Sequence, residues 1–113
     1  MSGDKQAKGE FIFIYSTFGT AMEAERAAEV LVRERLAACV NIHPGMRSVY
    51  EWKGAVEKAE EAAVFIKTRT ALKEKTMARL RELHPYEVPA MLVLPITGGN
   101  EDYLDWARAQ TEG

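Results

Sequence analysis

The chain has 113 residues, 47% hydrophobic and 28% charged, with 15 Lys plus Arg against 17 Asp plus Glu and a formal net charge of −2. That length suits one domain with one core, and that composition describes a globular chain rather than a disordered one. The near-balanced charge offers no support for nucleic-acid binding, and the single cysteine excludes an intrachain disulfide or a cysteine zinc motif within one chain.

The opening MSGDKQAKGE is polar and lacks the apolar centre of a signal peptide. Residues 1–10 read as a loosely held tail, and residues 11–113 as the domain. FIFIYS (Phe11–Ser16) is a run of strand formers suited to a central strand. Thr20, with Glu23 three residues later, opens an amphipathic helix whose inner stripe holds Ala24, Ala27, Ala28 and Leu31. LAACVNI is a second strand. Pro44 keeps His43 out of the helical region, and Gly45 permits a bulge before MRSVYEW continues, with Ser48, Tyr50 and Trp52 on one face.

KGAVEKAEE reads as a hairpin connection, with Glu57, Lys58, Glu60 and Glu61 as a solvated loop. AAVFIKTR returns as a strand, with Val64, Ile66 and Thr68 on one face and Ala63, Phe65, Lys67 and Arg69 on the other. A second helix runs from about Ala71 to Leu83, with Thr70 as its cap, and stops at His84 because Pro85 follows. AMLVLPI (Ala90–Ile96) is a short buried strand, TGGN a loop, and Asn100 the cap of a last helix. Strand, helix, strand, strand, helix, strand, helix is the split βαβ order, an α+β ferredoxin-like fold with an added C-terminal helix. Both main helices cover one sheet face. The other is left bare and the long middle hairpin projects, so self-association is expected.

Chemistry-bearing residues are few. Cys39 is either a small packed hydrophobe or a soft metal ligand. The two histidines, His43 and His84, stand 41 positions apart, so a metal site needs parts from separate elements or separate chains. Lys67, inside an apolar strand, is either a snorkelling side chain, an intersubunit ion pair or an anion contact. Gly98-Gly99 lacks the Lys-Ser/Thr of a phosphate loop, and no carboxylate pair points to hydrolysis.

RLAACVNIHPGMRSVYEWKG, IKTR, HPYEVP and YLDW, in this order and at this spacing, resemble the signature segments of the CutA divalent-cation-tolerance family. The resemblance covers nearly the whole chain after residue 10. It implies a homotrimer of ferredoxin-like subunits, similar in shape to PII-type signalling proteins, with weakly bound divalent metal (copper or zinc) and no established catalytic reaction. It implies His84 with Cys39 or Glu87 as metal ligands, and Lys67, Tyr86, Tyr50 and Trp52 at a cleft between subunits. Some relatives carry a further cysteine and a further histidine where this chain has Ser16 and Leu83, which removes two soft ligands. The expected partners are further copies of the chain, a metal ion and an unknown protein, with no nucleic acid and no membrane. A lone thiol and the lack of a signal peptide make the cytoplasm the expected location. A rigid trimer that clusters a partner protein, and an enzyme with a cleft at Cys39 and Lys67, are the competing readings.

Overall fold

The computed structural model describes residues 4–112, with side chains from Gly9 onward. Four strands and three α-helices follow one another: β1 (Asp4–Phe18), α1 (Ala21–Arg33), β2 (Cys39–Trp52), β3 (Ala55–Arg69), α2 (Lys73–Leu83), β4 (Leu92–Asn100) and α3 (Glu101–Gln110). The sheet order is β2-β3-β1-β4, every neighbour antiparallel. This is the expected split βαβ arrangement with its added helix.

The period of two along β1 and β3 sorts the residues between the faces. Ile12, Ile14 and Phe18 join Ala62, Val64 and Ile66 under Ala24, Ala27 and Leu31 of α1 and Leu80 of α2, forming the main core. Phe11 points the other way and meets Leu104 and Ala107, so α3 covers one end of the opposite face. The rest of that face is open. Opposed pairs Phe13–Leu94, Tyr15–Leu92 and Tyr15–Phe65 run across it. Phe65 stands 6.2 Å from the Phe13 ring and 5.2 Å from the Tyr15 ring.

Thr20 caps α1 by accepting from the Glu23 N–H at 3.1 Å, as the capping pattern requires. At the other end of α1 the chain turns back and the Leu36 carbonyl accepts from both Thr68 (2.6 Å) and Thr76 (3.0 Å). Two buried threonine hydroxyls are thereby satisfied. The Ser16 hydroxyl is not: it is fully buried and has no hydrogen-bond partner among the described residues. An unpaired buried hydroxyl costs roughly 1–3 kcal/mol. Ser16→Ala is therefore expected to stabilise the fold by about 1 kcal/mol, read as a raised urea midpoint at unchanged slope. A lowered midpoint would show that the hydroxyl has a partner.

Several local expectations need correction. The polar start is not a tail from Asp4 onward: Asp4, Lys5 and Gln6 pair with Asn100, Gly99 and Gly98, and residues 1–3 lie outside the described residues. Backbone pairing needs no apolar side chain, so a polar sequence can extend a strand. The TGGN loop is for the same reason the end of β4. The hairpin loop is only Lys53-Gly54. Both residues have positive φ (51° and 81°), as a type I′ turn requires, and Glu57, Lys58, Glu60 and Glu61 lie in β3 rather than in a loop. Thr70 does not cap α2. A 3₁₀ turn (Thr70–Leu72) precedes the helix, and the Thr70 hydroxyl donates to the Gly9 carbonyl. β4 is not buried: it is an edge strand with Leu92, Val93 and Leu94 exposed.

The β2–β3 hairpin extends well past the helices. The radius of gyration is 15.2 Å and the long axis 52 Å. A compact chain of this length would have a radius of about 13 Å. The bulge at His43–Met46, with Gly45 at φ 76°, marks where the hairpin leaves the body.

Candidate functional site

His84 ends α2 with extended backbone (φ −80°, ψ 133°), because Pro85 disfavours a helical residue before it. Its ring then turns inward. It stacks on Phe18 at 4.1 Å and is only 7% exposed. Nδ1 accepts from the Tyr86 N–H at 3.1 Å, and Nε2 lies 2.8 Å from the Thr17 carbonyl. A backbone N–H can only donate, so Nδ1 carries the lone pair and Nε2 carries the proton that Thr17 accepts. Burial holds the ring below the usual imidazole value, against the pull of the Thr17 carbonyl and the Glu23 and Glu61 carboxylates.

Tyr86 continues the chain of contacts. Its ring lies 4.8 Å from His84, and its hydroxyl donates to Glu61 Oε2 at 2.9 Å. Burial and the Glu61 contact push that hydroxyl up to about 12. Beside it opens a cavity of about 570 Å³ that runs along the hairpin, lined by Thr17, Tyr50, Trp52, Glu61, Tyr86 and Val88. Three of the four expected cleft residues, Tyr50, Trp52 and Tyr86, thus come together within one chain.

Lys67, the fourth, does not join them. It stands directly opposite both Phe13 and Cys39. Its ammonium leans over the Phe13 and Tyr103 rings and donates to the Tyr103 hydroxyl at 3.3 Å, in a separate cavity under α3. Cys39 is half-buried on the same sheet face. Glu87 is exposed on the loop after His84. The expected ligands His84, Cys39 and Glu87 do not form a cluster. No three His, Cys, Asp or Glu side chains among the described residues are grouped to hold a metal ion. Both His84 nitrogens are taken by backbone groups, so within one chain the donor set does not fit a divalent cation.

Reading along the sequence missed Glu61 and Tyr103. Glu61 was placed in a loop, although its spacing of two from Ala63 and Phe65 already put it on their face. Tyr103 reads in sequence as part of the apolar stripe of the last helix, with Leu104, Trp106 and Ala107, yet it is exposed and its hydroxyl meets Lys67.

A four-stranded antiparallel sheet, α1 and α2 on one face, α3 over one end of the other and a projecting hairpin that carries aromatic residues define a ferredoxin-like protein with an exposed apolar sheet face. The CutA1 divalent ion tolerance protein family matches residues 12–110. The chain is 49% identical over 88 residues to the divalent-cation tolerance protein CutA of Thermus thermophilus, covering 78% of this chain and 85% of that one. It is 40% identical over 101 residues to CutA of Pyrococcus horikoshii, covering 89% and 98%. The solved structure of CutA from Synechococcus elongatus superposes with a TM-score of 0.93 at 31% identity, covering 98% and 97%. The chain belongs to the CutA divalent-cation tolerance family.

Proposed function

We propose that the chain works as a homotrimer in the response to divalent cations, binding copper or zinc weakly through groups that separate subunits bring together. The observation that carries this reading is the bare sheet face of Phe13, Tyr15, Phe65, Leu92 and Leu94, continued by Tyr50 and Trp52 on the hairpin. Leu92 and Trp52 are each 61% exposed in the single chain. A contiguous apolar face of this kind marks an interaction surface, and a second copy of the hairpin offers the aromatic residues to cover it. Association is also the step that could add donors to Cys39 and Glu87, which join no group of three ligands among the described residues. The cytoplasm remains the proposed location, supported by the lone thiol; relatives carry the names chloroplastic and, for a solved structure, periplasmic.

Light scattering should give a mass near three times 12.7 kDa. Copper or zinc titrated against a chelator should then bind the assembled protein saturably, and Cys39→Ala should weaken copper at least about tenfold if the thiol is a ligand. A monomer at micromolar concentration would remove the reading.

A second reading, a trimer that clusters a partner protein without a physiological metal, is favoured by one observation: both His84 nitrogens are engaged by Thr17 and Tyr86. It takes the lead if the protein assembles but no saturable metal binding is found.

A further inference from the structure

We propose that the cavity under α3 binds a small monocarboxylate with an apolar body, its carboxylate held by Lys67 and Tyr103. The cavity holds about 280 Å³ and lies between β1, β4 and α3, with Phe11, Phe13, Ile96 and Leu104 in its walls. At about 30 Å³ per water of the liquid, that is room for roughly nine waters, or for a ligand of similar heavy-atom count.

Among the described residues Lys67 is the one charged group in those walls. Its ammonium lies 5.9 Å from the Phe13 ring centre and 5.4 Å from that of Tyr103. Among the described residues no carboxylate forms an ion pair with it. Two aromatic faces hold a cation in place without neutralising it. The hydroxyl of Tyr103 accepts one ammonium N–H at 3.3 Å. Its own proton remains free to donate, and the ammonium keeps two more. One ammonium N–H and one phenol O–H can therefore converge on the two oxygens of a carboxylate, the geometry that makes charge-assisted bonds strong.

The rest of the cavity selects the body. Beyond Lys67 and the Tyr103 hydroxyl its walls are the rings of Phe11 and Phe13, the sec-butyl, isobutyl and methyl groups of Ile96, Leu104 and Ala107, the Gly98-Gly99 backbone and Asn100, whose side-chain oxygen is taken by the Asp102 N–H, so the ligand is largely apolar beyond its carboxylate. A single cation in such walls suits a monoanion. A nucleotide or other polyphosphate carries more charge than one ammonium offsets and more atoms than the volume admits.

The test uses the full chain after passage through a chelating resin, so that no metal takes part and the outcome is independent of the metal-response reading. Benzoate is titrated calorimetrically, with benzamide as the uncharged control of the same shape. Benzoate should bind saturably at or below about 10 mM, and benzamide at least about tenfold more weakly, a difference of about 1.4 kcal/mol. Lys67→Met should lose the preference for benzoate, while Lys67→Arg keeps the affinity within about threefold. Tyr103→Phe should weaken benzoate and leave benzamide unchanged. Circular dichroism and mass confirm the fold of each variant. If Lys67→Met does not fold, Tyr103→Phe and the benzamide comparison decide the matter. Equal affinity for benzoate and benzamide, benzoate binding that survives Lys67→Met, or no saturable binding at that concentration overturns the proposal.

Discussion

His84→Ala is expected to destabilise the chain by about 2–4 kcal/mol, among the largest losses available to a single substitution here. Three contributions add. The stack on Phe18 disappears and leaves a cavity beneath it. The Thr17 carbonyl loses its donor. The Tyr86 N–H loses its acceptor, so the loop that carries Tyr86 towards Glu61 loosens. Urea unfolding should show a lower midpoint at similar slope.

The same residue sets a pH dependence whose sign follows from geometry. Protonating His84 places a second donor at Nδ1 against the Tyr86 N–H, and burial already holds the ring below its usual value. The unfolded chain takes up its proton near about pH 6.5. Below that the unfolded state binds more protons than the folded one, so stability is fully present above about pH 6.5 and is lost as the pH falls towards the depressed folded value. Midpoints measured from about pH 7.5 down to about 5 should therefore fall in the wild type, and His84→Ala should remove the part of that fall due to this ring. Identical slopes in the two proteins would sink the account.

The second large effect concerns assembly. Leu92→Glu with Leu94→Glu places two carboxylates on the open sheet face. In the single chain both positions are exposed, at 61% and 41%, so the fold of the subunit should change little. In an assembly that covers this face the charges are desolvated without partners, at a cost of several kcal/mol. Association should weaken by about 10³-fold or more, and the mass in solution should fall to that of one chain. Met22→Glu is the control. It is 61% exposed on the outer side of α1, away from the sheet, and should leave the mass unchanged. A pair of glutamates that leaves the oligomer intact would show that another surface holds it.

The elements and their order were legible in the sequence because each rests on local physics. The apolar run FIFIYS marked β1 as a central strand, and alternation along AAVFIKTR placed the residues of β3 on their faces. Pro85 stopped α2 at His84, Gly45 marked the bulge, and Thr20 and Asn100 capped their helices. Family membership was legible too, carried by four short motifs in order.

The extents of the strands were not. Asp4–Glu10, Ala55–Glu61 and Thr97–Asn100 are polar or glycine-rich, and they become strand only because a neighbouring backbone is in place to pair with them. What each candidate side chain does was likewise decided by the tertiary structure. Nothing near His84 in sequence says that a carbonyl 67 residues earlier will occupy Nε2, or that Phe18 will lie beneath the ring. Lys67 is adjacent to no acid or aromatic polar group in sequence except through the fold, which sets it opposite Cys39 and under Tyr103. Secondary structure follows from periods of two and 3.6 along the chain, whereas a site depends on which distant groups the packing brings within about 3 Å of one another.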